Sequence, residues 1–110
     1  MSESLGEKHK TSVLVVDDEQ LIADSLAWIL CLVGFDARSV YSGSDAINHA
    51  VLNPIDILIS DVVMHGMSGI DSAIEICKLF PKCKVLLLSG NIETSDMLRS
   101  AWQNRSVRTR

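Results

Sequence analysis

The sequence has no long apolar run and no CxxC pair of cysteines. The first absence argues against a membrane-spanning protein, and the second argues against a metal site or redox switch built on cysteines. No segment reaches the roughly 20 apolar residues that cross a bilayer. The charged stretch 1–10 has no apolar core of the kind a signal peptide needs. We therefore expect a soluble, cytoplasmic protein that begins with a flexible lead over residues 1–10. The three cysteines, Cys31, Cys77 and Cys83, form no CxxC pair, which predicts buried, reduced thiols.

Positive charge is also scarce, with 10 Lys and Arg against 14 Asp and Glu, a formal net charge of -4. General nucleic-acid binding requires a basic surface, so the net charge argues against nucleic acid as a partner and favours a cation-binding acidic site. Arginines gather at the C-terminal end, 105–110, which we expect to be a solvated basic tail. The P-loop pattern GxxxxGK[ST] is absent. At 110 residues and 47% hydrophobic composition, the chain can form one domain with a core.

Three short apolar runs each end in groups that can bind a metal or an oxyanion. They are 13–16 before Asp17-Asp18-Glu19, 55–59 shortly before Asp61, and 85–88 before Ser89-Gly90. Such runs are typical of parallel strands buried on both faces, and ligands bind at the carboxyl ends of those strands. If the strands are neighbours, Asp17, Asp18 and Asp61 crowd one edge of the sheet. Carboxylates that lie so close together raise one another's pKa unless they share a cation.

Carboxylates with a backbone carbonyl and water are hard oxygen ligands, which suit Mg²⁺, with Mn²⁺ as an alternative. Simpler interpretations stay open at this point, because Asp61 can start a turn and Asp17-Asp18 can cap a helix. Ser89-Gly90 can likewise form an ordinary turn between a strand and a helix.

Apolar residues between these runs recur at helical spacing. A first helix is predicted over 20–33 on the stripe Ile22, Leu26, Ile29 and Val33, with further apolar residues around most of its circumference. Three further helices are predicted. One has Ser44 as its N-cap and ends at about Leu52, one runs from about Ile70 to Phe80, and one covers 92–104. A weaker strand over 35–40 is expected at the sheet edge. Strands alternating with helices predict parallel βαβ units, but pattern alone does not choose the strand order.

Three segments in order, VLVVDDE at 13–19, LISDVVMHGMSG at 58–69 and VLLLSG at 85–90, resemble the receiver domains of two-component response regulators. The resemblance extends over nearly the whole chain and implies a three-layer α/β fold with the flavodoxin-like strand order 2-1-3-4-5. We therefore expect a receiver domain over 11–104, between the flexible lead and the basic tail.

The resemblance also implies a function. Asp61 would accept a phosphoryl group from a histidine kinase or a phosphotransfer protein, so the chain would be a phosphoacceptor rather than an enzyme. Mg²⁺ would bind to Asp18, Asp61 and the backbone carbonyl of Val63, with Asp17 acting through water. Ser89 would donate a hydrogen bond to the phosphoryl group, and Gly90 would leave room for a phosphoryl oxygen.

Two features depart from the family pattern. Receivers continue with a fifth strand ending in a lysine and then a fifth helix, but no lysine follows Lys84 here, and His65 stands where the family usually has proline. We therefore expect a truncated or diverged receiver, with the fifth strand and helix missing or rudimentary. Trp28 and Leu32 would then be exposed and could support a homodimer. The alternative is a pseudo-receiver that takes no phosphate and acts as a protein-interaction module.

A different α/β enzyme fits the sequence less well. A haloacid-dehalogenase-type phosphatase would need DxD after its first strand, whereas Asp17 and Asp18 are adjacent. A flavodoxin would need a Ser/Thr-rich phosphate loop in the same place, where acidic side chains would repel the phosphate of the cofactor.

Overall fold

The computed structural model describes residues 9–88, which form four strands and three helices in alternation. The elements are β1 (Ser12–Val16), α1 (Gln20–Leu32), β2 (Asp36–Val40), α2 (Gly43–Leu52), β3 (Ile57–Asp61), α3 (Gly69–Leu79) and β4 (Lys84–Leu88). The predictions for Ser89, Gly90, the helix over 92–104 and the tail over 105–110 lie outside the described residues. Over 9–88, no helix has the length and apolar character needed to cross a membrane.

The four strands form one parallel sheet in the order β2-β1-β3-β4. This confirms the predicted 2-1-3-4 order and places β2 at an edge. Because all strands run in the same direction, their carboxyl ends lie at one edge of the sheet. Val16 pairs with Ser60, and Asp61 pairs with Leu88. The residues that follow β1 therefore meet the end of β3.

Helices cover both faces of the sheet, which gives the predicted three layers. Alternate residues of β1 point to opposite faces, so Val13 and Val15 pack with α1 while Leu14 and Val16 pack with α2 and α3. All four side chains are buried. A strand buried on both faces can be apolar throughout, and this explains the continuous run in the sequence.

Helix α1 forms where it was predicted but does not bury the predicted stripe. Its buried residues are Ala23 and Ala27, whereas Ile22, Ile29 and Val33 are exposed. Small alanine side chains allow the helix to lie close to the sheet, where Ala23 and Ala27 pack against Val13 and Val15. The periodic apolar pattern predicted the helix correctly, but it could not identify the packed face because α1 is apolar on several sides.

Strand β4 is less buried than the sequence suggests. Leu86 and Leu88 are exposed, while Val85 and Leu87 are half-buried against the core. Among the described elements, β4 pairs only with β3 and α3 is the helix that packs on it. One face of β4 is therefore open within residues 9–88, and the prediction of a strand buried on both faces is wrong for it. In β3, only Leu58 and Ser60 are fully buried.

Two smaller predictions also need correction. The N-cap of α2 is Ser42, whose side-chain oxygen accepts a hydrogen bond from the Asp45 N–H at 3.0 Å, whereas Ser44 already lies inside the helix. No disulfide joins the three cysteines, but Cys31 is exposed rather than buried. Cys83 is half-buried, and burial raises the pKa of its thiol to about 11.

Candidate functional site

Three carboxylates meet at the carboxyl edge of the sheet. Asp17 and Asp18 follow β1, Asp61 is the last residue of β3, and these strands are neighbours. One carboxylate oxygen from each residue lies within 4.8 Å of the other two. Neither Asp17 nor Asp18 is the N-cap of α1, which is Glu19 with no side-chain cap hydrogen bond. The sheet thus brings together the three acids that the sequence predicted to meet.

Backbone groups hold Asp17 in place. Its side chain accepts a hydrogen bond from the Glu19 N–H at 2.9 Å, and its own N–H donates to the Val40 carbonyl at 3.2 Å. The residue is only 7% exposed. A buried carboxylate is stable only when it is hydrogen-bonded or paired with positive charge. The hydrogen bond from Glu19 meets part of this requirement, and a cation would meet the rest.

The carboxylate of Asp61 is partly buried and lies beside two other negative charges. Burial raises its pKa above the ordinary aspartate value, and the negative charges of Asp17 and then Asp18 raise it further. Hydrogen bonds from the N–H groups of Val62 and Val63 oppose this effect in part. The ionised form of Asp61 therefore lies in a site with unbalanced negative charge, and hard oxygen donors in this arrangement suit a divalent cation.

We expect the raised pKa of Asp61 to appear in the pH dependence of stability. Because the pKa of Asp61 is raised on folding, its contribution favours the folded state at acid pH and is lost as pH rises from the ordinary aspartate value through the raised value. A bound divalent cation would offset this loss. Thermal unfolding with and without Mg²⁺ should thus show a cation-dependent rise of the midpoint near neutral pH. The rise should vanish at acid pH, and NaCl of equal ionic strength should not reproduce it.

The loop after Asp61 is anchored by alternate side chains. Val62 and Met64 are buried, whereas Val63 between them is exposed. The N–H of Val62 donates to the Leu88 carbonyl at 3.1 Å, and the carbonyl of Val62 accepts from the Gly69 N–H at 2.9 Å. These bonds join β4 and the start of α3 to the residue beside Asp61. The loop at the site is therefore held on both sides.

Gly69 allows the start of α3 to touch the end of β3. A Cβ at this position would collide with the Asp61 backbone carbonyl and would lie 2.8 Å from the Ser60 side-chain oxygen. Ser60 is fully buried and donates a hydrogen bond to the same carbonyl at 2.9 Å. The groups around the Asp61 backbone thus leave no space for a residue larger than glycine at position 69. The sequence motif contains Gly69 but does not reveal this contact.

His65 makes a second contact that the sequence did not predict. Its N–H donates to Oδ2 of Asp18 at 3.0 Å, and Nδ1 of its ring lies 2.8 Å from the same oxygen. The backbone hydrogen bond, followed by the ring hydrogen bond, lowers the pKa of Asp18 below the ordinary aspartate value. The two residues are 47 positions apart, and no local pattern relates them.

The remaining predicted site features have different outcomes. Ser89 and Gly90 lie outside the described residues, so their roles stay predictions. Lys84 begins β4, at the end opposite Leu88 and hence opposite Asp61. It cannot replace the lysine that receivers carry, because the length of the strand separates it from the acids.

Comparisons with known proteins agree with this architecture. The family model of the response regulator receiver domain matches residues 13–105. The sensory transduction protein RegX3 of Mycolicibacterium smegmatis is 41% identical over 68 residues, which cover 62% of this chain and 28% of RegX3. The match thus spans less than a third of that relative's length.

Solved receiver structures have the same fold. A CheY-like receiver domain from Methanospirillum hungatei superposes with a TM-score of 0.76 at 21% identity, covering 84% of this chain and 76% of the other. The response regulator TrrA from Thermotoga maritima, solved in complex with Mg²⁺-BeF, superposes with a TM-score of 0.73 at 32% identity, covering 83% and 80%. Since the family model covers most of the chain and the sheet has the receiver order, the chain belongs to the response regulator receiver domain family.

Proposed function

We propose that this receiver accepts a phosphoryl group on Asp61 from a phosphohistidine of a sensor histidine kinase or a phosphotransfer protein. The observation that carries the proposal is the meeting of Asp17, Asp18 and Asp61 within 4.8 Å at the carboxyl edge of the sheet. The product is a modified side chain of the protein itself, so the chain acts as a phosphoacceptor in a two-component relay and not as an enzyme. A cytoplasmic location accompanies this role.

The donor set at the site fits Mg²⁺. Carboxylate oxygens are its usual protein ligands. Burial, followed by the negative charges of Asp17 and Asp18, raises the pKa of Asp61, and a cation would relieve the effect of those charges. Asp18, Asp61 and the Val63 carbonyl would hold the ion, with Asp17 acting through water; Mn²⁺ would fit the same donors. When bound, the ion supplies positive charge to the equatorial phosphoryl oxygens.

The chain's own residues define the transfer step. A carboxylate oxygen of Asp61 attacks the phosphorus of the phosphohistidine, so an O–P bond forms while the N–P bond breaks. The imidazole nitrogen of the donor keeps the electron pair of the broken bond. The N–H groups of Val62 and Val63 lower the pKa of the Asp61 carboxyl in part and so favour its ionised, nucleophilic form. Ser89 would donate a hydrogen bond to the phosphoryl group, and Gly90 would leave room for its oxygen.

The direct test is incubation of the protein with a small phosphodonor and Mg²⁺, followed by intact-mass measurement. A gain of one phosphoryl group that requires the divalent cation is expected. The modification should be removed by hydroxylamine, which cleaves acyl phosphates. A chain that stays unmodified with every donor, including a phosphorylated histidine phosphotransfer domain, would contradict the proposal.

The alternative function is that of a pseudo-receiver that only binds partner proteins. It is favoured by one observation, the position of Lys84 at the end of β4 opposite Asp61, where it cannot reach a phosphoryl group on that side chain. Loss of a positioned charged group at a transferring phosphoryl group lowers rates by about 10² or more. Acyl phosphate formation about 10² slower than in receivers that carry a lysine at the site would favour this alternative. Time courses with one phosphodonor would measure this difference.

We also propose that the chain forms a homodimer through an exposed face of α1. Leu21, Trp28 and Leu32 recur at helical spacing about half a turn from Ala23 and Ala27, and their exposed fractions are 80%, 66% and 66%. Apolar patches of several hundred Å² on a surface commonly mark protein interfaces. Asp24 lies between Leu21 and Trp28 along the helix, so the part of this face without a charged residue runs from Trp28 to Leu32.

The dimer predicts a specific effect of charge on this face. Trp28→Lys should convert a concentration-dependent dimer into a monomer in sedimentation velocity, because lysine at a buried interface loses hydration without gaining a partner. Val51→Lys is the matched control, since Val51 is 64% exposed but lies on α2, on the other side of the sheet. A wild-type chain that sediments as a monomer at every concentration would contradict the dimer.

A further inference from the structure

We infer that His65 is a positioning residue that orients the Asp18 carboxylate for the cation, an inference that rests on the proposed phosphoacceptor function. Two groups of this one residue, the backbone N–H and ring Nδ1, contact the same oxygen of Asp18 at 3.0 and 2.8 Å. Both contacts fall on Oδ2, so the carboxylate is held in one orientation and Oδ1 carries no bond to His65.

The geometry assigns the proton on the neutral His65 ring. An ionised carboxylate only accepts hydrogen bonds, so the 2.8 Å contact requires that Nδ1 carries the hydrogen and donates it to Oδ2 of Asp18. Nε2 is then the unprotonated nitrogen. The ring itself lies outside the group of residues whose oxygens could share one ion, which consists of Asp17, Asp18 and Asp61 among the described residues. His65 thus acts through Asp18 rather than as a ligand.

Such a group has a defined effect on a metal site. Hydrogen bonds to a ligating carboxylate fix its orientation before the ion binds, and loss of one commonly weakens metal affinity 10- to 100-fold. The ring of His65 is fully exposed, whereas the Asp18 side chain is only 23% exposed. Removing the ring therefore deletes the 2.8 Å contact from Nδ1, leaves the backbone N–H contact in place, and removes no buried side-chain surface. A change in affinity can then be separated from a change in folding.

Four chains should be compared by calorimetric titration with Mg²⁺: the wild type, His65→Ala, His65→Asn and His65→Gln. The alanine variant should bind Mg²⁺ about 10-fold more weakly. Asparagine places an amide N–H close to the position of Nδ1 and should restore most of the affinity. Glutamine places its N–H closer to the position of Nε2 and should not. His49→Ala, in a histidine of α2 away from the acids, should match the wild type.

Two further measurements need no activity. Nitrogen NMR of the ion-free protein should show the neutral His65 ring protonated at Nδ1, a tautomer that the contact with Asp18 selects. Thermal unfolding of ion-free His65→Ala should match the wild type within about 2 °C, as for a surface substitution. These two results would support the inference together with the titrations.

The outcomes separate the inference from the proposed function. Equal Mg²⁺ affinity in the wild type, the alanine variant and the asparagine variant would overturn the role of His65 and leave the phosphoacceptor proposal intact. A neutral ring protonated at Nε2 would overturn it as well. A wild-type chain that binds no Mg²⁺ would overturn the proposed metal site, and the positioning role with it.

Discussion

Asp61→Asn is expected to abolish both Mg²⁺-dependent phosphorylation and Mg²⁺-dependent binding of beryllofluoride. The amide is nearly the same size as the carboxylate, and the contacts of Asp61 with Ser60 and Gly69 involve its backbone carbonyl, so they should remain. It lacks the negative charge and the nucleophilic oxygen that an acyl phosphate requires. Intact-mass measurement after treatment with a small phosphodonor would report the loss.

The same substitution should stabilise the ion-free protein near neutral pH. Burial and the charges of Asp17 and Asp18 raise the pKa of Asp61, so the ionised side chain opposes folding and its neutral replacement does not. Thermal unfolding without divalent cations near neutral pH should show a higher midpoint for the variant than for the wild type. Loss of function combined with increased stability is characteristic of a functional site, since a purely structural carboxylate would destabilise the fold when replaced.

Asp36→Asn is the matched control for charge. Asp36 lies at the start of β2 and carries an exposed ion pair with Arg38 at 3.5 Å. Its replacement removes the same charge but should leave phosphorylation unchanged and should not raise the midpoint. Phosphate on the Asp61→Asn chain, mapped to Asp17 or Asp18, would contradict the assignment of Asp61 as the acceptor.

Gly69→Ala is expected to have the largest effect on stability. The added methyl group would collide with the Asp61 carbonyl and press on the Ser60 side chain, so α3 must shift away from β3. Overpacking of buried positions commonly costs about 1–3 kcal/mol, and we expect the upper end because the main obstacle is backbone. Urea unfolding would give the free energy of unfolding. Any folded fraction should bind Mg²⁺ weakly, because the collision displaces the backbone of Asp61 and with it the carboxylate that would hold the ion.

Gly66→Ala measures the cost of backbone strain in the absence of a steric collision. Gly66 has a φ of +80°, but no atom lies within 4 Å of the place where its Cβ would be. Alanine there should cost about 1–2 kcal/mol through the left-handed backbone conformation alone. Equal losses for the two variants would contradict the view that Gly69 is needed for the contact between α3 and β3.

The sequence was sufficient to predict the order of elements and the three acids at one edge. The run 13–16 is apolar because β1 is buried on both faces, and the acids after it and at Asp61 end neighbouring parallel strands. All four residues of 13–16 are buried, as are Leu58 and Ser60 of β3, so burial leaves a local pattern in the sequence. The receiver resemblance supplied the strand order, which periodicity alone could not choose.

Other features depended on contacts between distant segments. Helix α1 is apolar on several sides, so only its packing on β1 decided that Ala23 and Ala27 are buried and that Trp28 is exposed. The two hydrogen bonds from His65 to Asp18 and the contact of Gly69 with Asp61 likewise join residues from different elements. The local sequence shows which residues are buried. It was therefore enough to predict the helices, the strands and the three acids at the edge of the sheet. Which backbone groups and side chains touch across the sheet edge depends on how the elements pack together, and only the tertiary structure decided that.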